Sequence, residues 1–320
     1  MKEKIITVFG ATGAQGGGLA RAMLADPAQR FAVRAVTRKP DAEAARVLAR
    51  AGASVVVGDL DDAESVRRAM EGAHGAFCVT SFWEHYSPEK ELAQAETLAT
   101  AASQSGLQHV IWSTLEDTRR LFAVGTRMPV LKGRYNVPHF DAKGEANRYF
   151  LDAGVPTTLL HTSAYWENLI YFGMGPKRRA DGMLALRFPT GDSKIPWIAA
   201  EDIGRCAFGI FTRGAALTNT SIGVAGEHLS GAELAAHLAQ AIGEPVVYDS
   251  ITPAQYRAQD LAGADDLGNM FQFKRDFESV YRSARRVEET RGLNPALQDF
   301  AQWLTANARR IPLPAVEAVA

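Results

Sequence analysis

Cysteine is scarce. The 320-residue chain has two, Cys78 and Cys206, which excludes a disulfide framework and a four-sulfur metal site. An excess of either charge is also missing. Lys and Arg number 35 against 36 Asp and Glu, a net charge of −1 with histidine neutral. Such a balance leaves no broad electrostatic footprint for DNA, RNA or an anionic membrane surface. No apolar run approaches membrane-spanning length, and the start, Met1 to Lys4 before a short strand-like run, does not read as a secretory leader. His74, His85, His109, His139, His161, His228 and His237 show no metal-ligand spacing, so no metal site is expected. The basic run Lys177-Arg178-Arg179 comes without a helix-turn-helix or zinc pattern and reads as a solvated turn, not a nucleic-acid contact. Repeats and low-complexity tracts are absent too. What remains is 47% hydrophobic and 22% charged residues, enough for a large core in a soluble protein of the reducing cytoplasm.

The first half repeats one pattern of apolar run, turn and amphipathic helix. Ile5–Phe9, Phe31–Thr37, Ser54–Val57, Ala76–Val79 and His109–Trp112 read as strands. Between them lie helical stretches. One ends near Asp26-Pro27, one spans Asp41–Ala51, one opens at Asp61 with Glu64 as a capping box, and one runs from Ser87-Pro88 to Gly106. Strands apolar on both faces and separated by helices predict a parallel sheet covered on two sides, a Rossmann-type doubly wound α/β fold. Residues 115–138, with Gly125, Pro129, Gly133 and Pro138, break the rhythm as a long basic connection of the kind used for lids and binding loops. A helix over Asp141–Asp152 and a strand over Thr157–Leu160 restore it. Residues 1–164 form the expected nucleotide domain, with later strands returning from about 195–226. Residues 165–320 form mainly a smaller mixed α/β lobe, with helices near 230–242, 253–260 and 296–307.

The loop Gly10-Ala11-Thr12-Gly13-Ala14-Gln15-Gly16 joins the first strand to the first helix. Glycines there allow a tight turn and let backbone amides approach a pyrophosphate. A plain βα turn would not account for Gly17 and Gly18, which extend the run where a helix favours alanine. The second strand ends in Thr37-Arg38-Lys39 in place of the carboxylate that accepts a ribose 2′-hydroxyl. A guanidinium grips a 2′-phosphate bidentately, so Arg38 and Lys39 point to NADP(H) over NAD(H).

The GxxGxxG spacing resembles the short-chain dehydrogenases/reductases. The segment Val8 to Gly17 more narrowly resembles their atypical NmrA-like branch. The ordered series continues with Gly58-Asp59-Leu60-Asp61-Asp62, Val79-Thr80-Ser81-Phe82-Trp83-Glu84, Val137 to Glu145, Tyr165-Trp166-Glu167-Asn168-Leu169, Pro189-Thr190-Gly191-Asp192 and Asn269-Met270-Phe271. The resemblance runs from about residue 4 to residue 306. The resemblance implies that Asp59 and Leu60 border an adenine, that Thr80, Ser81 and Phe82 line the path to a nicotinamide, and that Tyr165 and Asn168 stand on its far side. It also implies that His161-Thr162 replaces the Arg-Pro of many relatives, changing one pocket wall.

The family's YxxxK pair corresponds here to His139 and Lys143. Spacing of four places both on one helical face. Lys143 is expected to hold the nicotinamide ribose. His139 is either a general acid titrating near neutrality or a polar residue at a helix start. Ser113, at a strand end, is either a substrate-polarising hydroxyl or a cap. Tyr165 is a candidate proton donor or a packing aromatic, and Cys78 is read as inert core. Without the tyrosine, the favoured reading is an NADP(H)-binding redox sensor, possible homodimer included, whose occupancy moves the 115–138 loop and recruits a protein partner. The alternative is an NADPH-dependent reductase of a small carbonyl, quinone or conjugated substrate that uses Lys143.

Overall fold

A computed structural model describes residues 4–314; Met1–Glu3 of the opening segment and the last six residues lie outside it. The large sheet is built from β1 (Ile5–Val8), β2 (Ala32–Thr37), β3 (Ser54–Val57), β4 (Gly75–Cys78), β5 (His109–Thr114), β6 (Thr157–His161) and, after β7 (Ala164–Tyr165), β8 (Lys177–Arg178), β9 (Leu184–Leu186) and β10 (Ile195–Ile198), the late strand β11 (Ser221–Gly223). Its order is β11-β6-β5-β4-β1-β2-β3, all parallel. The helices are α1 (Ala14–Leu24), α2 (Glu43–Arg50), α3 (Ala63–Met70), α4 (Pro88–Gln104), α5 (Pro138–Asp152), α6 (Asn168–Tyr171), α7 (Ala200–Arg213), α8 (Gly231–Ile242), α9 (Pro253–Arg257), α10 (Ala264–Asp276), α11 (Glu278–Ser283), α12 (Val287–Leu293) and α13 (Phe300–Asn307). The doubly wound parallel fold expected from the apolar strands is the one observed. The order in which strands are added reverses between β1 and β4, the place where open α/β sheets leave a crevice at the carboxyl ends of their strands.

Burial follows from the sequence pattern. Central strands β4 and β5 are buried at every position, so they face helices on both sides. Trp112 of β5 stacks on Phe150 of α5 with ring centroids 4.8 Å apart, and its indole N–H donates to Asn147. Of the stretch expected to return, Ser221–Gly223 joins the large sheet beside β6, whereas Ile195–Ile198 enters a separate sheet, β12 (Glu227–Leu229)-β10-β7. A third sheet has the order β13 (Val246–Tyr248)-β9-β8. These small sheets and helices α8, α9, α10, α11 and α13 enclose a second core that includes Trp166, Trp197, Phe271, Phe300 and Trp303, while α12 packs on α7. It lies over the carboxyl edge of the large sheet. Within the basic run, Lys177–Arg178 is a strand and Arg178 is held by Glu244 at 2.5 Å.

Two local expectations need correction. Asp62, not Asp61, caps α3, accepting from the amides of Glu64 and Ser65; Asp61 instead takes Lys90 at 2.8 Å and Gln94. The glycine run, expected to serve a ligand, has a packing cause. A Cβ on Gly18 would lie 2.6 Å from the Glu201 carbonyl oxygen, and one on Gly204 would lie 2.1 Å from the Leu19 amide nitrogen. Gly18 therefore lets α1 and α7 cross backbone to backbone. Gly16 serves the turn itself, since its Cβ would fall 2.4 Å from the Gly10 carbonyl oxygen.

The 115–138 connection is pinned down. The Asp141 carboxylate, wholly buried, accepts from the Thr118 amide and hydroxyl at one end of the loop and from the Asn136 and Val137 amides at the other. Asn269 of α10 donates to the carbonyls of Pro129 and Asn136. Helix α5 begins three residues earlier than the sequence suggests, with Pro138 in its first turn, a position where the missing N–H costs nothing.

Candidate functional site

One cleft of about 660 Å³ opens at the switch point. The residues expected to bind cofactor or carry chemistry line it: Gly10, Thr12, Gly13, Ala14, Gln15, Gly16, Arg38, Lys39, Asp59, Leu60, Thr80, Ser81, Phe82, Ser113, His139, Lys143, Tyr165 and Asn168; His161 does not, although its neighbour Thr162 does. The elements bring them together simply. Gly10 follows β1, Arg38 follows β2, Asp59 lies just beyond β3, Thr80 lies just beyond β4, and Ser113 is near the end of β5. Gly10 has φ +63°, and a Cβ there would meet Val79 Cγ1 at 2.9 Å, so the turn passes directly over the end of β4.

Helix α1 starts at Gly13 with no side-chain cap and no acidic residue in its first turn. Helices α3, α4, α8, α9 and α13 carry side-chain caps, while α2, α5, α6, α7, α10, α11 and α12, like α1, do not; the start of α1 differs in lining the cleft together with the glycine loop. The first amides of α1 are thus left for an outside acceptor, and the helix dipole favours an anionic one. At the mouth, Arg38 reaches Glu84 at 2.9 Å, both side chains more than half exposed. An exposed pair of this kind is weak and exchanges readily for a better anion.

Deeper in, Lys143 Nζ lies 2.6 Å from Glu91 Oε1 and 2.7 Å from Thr80 Oγ1, with the Trp112 ring centroid 5.2 Å away. Thr80 also donates to Glu91. Glu91 is wholly buried. Burial alone would raise its carboxyl, but the Lys143 charge, with hydrogen bonds from His85, Lys143 and Thr80, overrides that and holds it down at about 2. The His85 ring takes the Ser87 amide on Nδ1, which leaves its Nε2 facing Glu91 at 3.4 Å. Glu91 was not singled out from the sequence. Its signal was there: positions 91, 95, 98 and 102 form one buried stripe of α4, and a carboxylate in such a stripe needs a buried partner.

His139, four residues before Lys143, has a different partner. Its Nδ1 is 2.6 Å from Asp266 Oδ1, and its amide donates to Asp266 Oδ2. A carboxylate accepts, so Nδ1 carries the proton and Nε2 is the nitrogen left for other contacts. Ser113 donates to Gln15 Oε1 at 2.8 Å, and Gln15 Nε2 donates to the Tyr165 hydroxyl at 2.5 Å. Burial raises the Tyr165 phenol, which keeps it protonated. Asp266, Lys274 and Tyr281 also line or back the cleft and were missed, because α10 and α11 are short, polar or glycine-containing stretches with little periodic signal. Cys78 is buried and its thiol is pushed well up by burial, in keeping with inert core.

The NmrA-like family model matches residues 2–304. The chain belongs to the NmrA-like family. Among curated members, the NmrA-like family domain-containing oxidoreductase FrzB of a Cladobotryum species is 28% identical over 289 residues, 84% of this chain and 83% of its own. The oxidoreductase notA of an Aspergillus species is 32% identical over 229 residues, 65% of this chain and 64% of its own. A solved NmrA, a negative transcriptional regulator in complex with NADP, has a TM-score of 0.77 at 23% identity, covering 97% of this chain and 96% of its own. Triphenylmethane reductase of a Citrobacter species, complexed with NADP(H), has a TM-score of 0.72 at 17% identity over 95% of this chain and 99% of its own. At these identities the solved structures establish the shared NmrA-type fold. No described helix of this NmrA-like chain is long and apolar enough to cross a membrane, and no described cluster of His, Cys, Asp and Glu has the makings of a metal site.

Proposed function

We propose that this NmrA-like protein is an NADPH-dependent reductase of a small apolar acceptor, a carbonyl, quinone or other conjugated compound. The observation that carries the reading is continuity. The cleft does not stop at Ser113 and Lys143 but runs on into a chamber walled by Leu115, Phe140, Phe172, Met174, Trp197, Leu267, Met270 and Phe271. A protein that only bound a dinucleotide would have no use for that second, apolar compartment. The fit to NADP(H) rests on the uncapped start of α1 and on the two cations after β2.

NADPH, when bound, supplies the hydride. The amides of the Gly10–Gly16 loop take the diphosphate, while Arg38 and Lys39 take the 2′-phosphate. Lys143, fixed by Glu91 and Thr80, holds ribose hydroxyls. His139, turned by Asp266 so that Nε2 is left for a ligand, moves a proton to or from the acceptor. Gln15, Ser113 and Tyr165 form a hydrogen-bonded wall that orients it. The names of the curated relatives, oxidoreductases all, support the same reading.

The sensor reading requires the 115–138 segment to move with occupancy. That segment is tied to Asp141 at both ends and to Asn269 further along. The chamber and these ties together move the weight from sensing to catalysis. NADPH consumption with a panel of quinones and conjugated carbonyls tests the proposal, with Lys143→Met and His139→Gln as controls. Turnover of at least one acceptor, lost in Lys143→Met, is expected. Tight NADPH binding with no turnover of any acceptor, and ligand-dependent protection of the 115–138 loop from protease, would return the protein to the sensors.

A further inference from the structure

The chamber wall holds a polar group that the hydride step does not use. Lys274 of α10 is 2% exposed and lines the cleft. Its ammonium sits among the rings of Phe140, Phe271 and Tyr281, with Nζ 5.5 to 5.9 Å from their centroids. Among the described residues its charged neighbours are Arg285 and Glu116. These two are engaged with each other, Arg285 reaching Glu116 at 2.6 and 2.9 Å, so Glu116 is not free to neutralise a second cation. A buried cation whose neighbouring carboxylate is already engaged costs free energy unless a ligand supplies a counter-charge.

We propose that the chamber selects an apolar acceptor carrying a carboxylate, which Lys274 pairs with. The assignment rests on the reductase reading for what happens to the acceptor, and on the chamber alone for its recognition. An ammonium only donates, and a carboxylate is the acceptor-only group that answers it with a full opposite charge. Charge points the same way. Burial, reinforced by Arg285 and opposed by Glu116, pulls the Lys274 ammonium down to about 7. An arriving anion restores the charged form. Apolar walls and aromatic rings around the amine suit a conjugated or ring-bearing body behind the carboxylate.

Calorimetric titration of the full-length protein, with and without NADP⁺, with cinnamate and with cinnamyl alcohol tests this directly, without relying on turnover. Cinnamate is expected to bind at least about tenfold more tightly than the alcohol, the size of a charge-assisted hydrogen bond at a desolvated site. Lys274→Met is expected to bring the two affinities together, with NADP⁺ affinity unchanged. Equal affinity of the two compounds for the wild type, or no binding of either, overturns the proposal. So does a preference that survives in Lys274→Met. A carboxylate preference in a protein that reduces nothing would leave this inference standing and remove the reductase reading alone.

Discussion

Lys143 and Glu91 form an ion pair of 2.6 Å in which the carboxylate has no exposure to solvent. The lysine expected to serve the cofactor is therefore held in place by an acid on α4, and each charge makes the other tolerable where it lies. Removing one member of a buried pair strands its partner. Glu91→Gln is expected to lower stability by roughly 3 kcal/mol, read as a drop in the urea midpoint. The double variant Glu91→Gln/Lys143→Met should lose less than the two single losses added together. Additive losses would mean that the pair is not coupled.

The same buried groups set the response to acid. Burial holds His109 and His161 neutral, with pKa values pulled down to about 4 from 6.5. Between those values the unfolded chain binds protons that the native state refuses, so stability falls as pH drops from about 6.5 toward about 4. Glu91, held at about 2 against 4.5, acts over a lower range. Its contribution is complete above 4.5 and disappears as pH falls through its folded value. Each of the two histidines accounts for up to roughly 3 kcal/mol by this linkage. Urea unfolding at steps from pH 7 to pH 4 should show a steady decline from about pH 6.5, and a flat profile down to pH 5 would contradict it.

Cofactor choice is expected to rest on Arg38. Its ion pair with Glu84 is exposed and easily given up to a phosphate. Arg38→Ala should weaken NADPH binding about tenfold or more, through loss of a charge-assisted contact, and leave NADH little changed. Fluorescence titration of both nucleotides reads the ratio. Equal weakening of the two would place the 2′-phosphate elsewhere.

Asp141 holds four donors from the two ends of the 115–138 loop. Replacing it by alanine leaves buried amides without partners and releases a segment that carries Arg119, Arg120, Arg127, Lys132 and Arg134. Trypsin is expected to cut Asp141→Ala in this loop well before it cuts the wild type. Equal resistance would show that the Asn269 contacts alone suffice.

The large sheet was legible because its strands are apolar on both faces and recur with helices between them, a pattern local enough to read residue by residue. The glycine loop, Arg38 and Lys143 were legible because each sits at a fixed place in that pattern. Helix α7 was not. Gly204 and Gly209 argue against a helix by intrinsic propensity, yet both are there because another backbone lies against them: Leu19 in one case and the Leu293 carbonyl, at 2.2 Å from a Cβ, in the other. Helix α10 carries Gly268, whose Cβ would meet Arg257 Cγ at 2.4 Å. Tertiary packing decided both helices. The partners of the site residues were hidden for a related reason. Asp266 meets His139 across 127 residues of chain, and no spacing rule reaches that far.

The crossing of α1 and α7 at Gly18 and Gly204 also sets a timetable for synthesis. The helix that bears the glycine loop finds its neighbour only once residues 200–213 have been made, and the edge strand β11 follows later still. During translation, the nascent N-terminal half thus emerges from the ribosome with one face of α1 uncovered and β6 as an open edge. Apolar surface and an unpaired edge of that kind are what chaperones bind and what aggregation exploits. The protein's dependence on folding assistance should therefore be greatest while the ribosome is between the end of β6 and the end of β11.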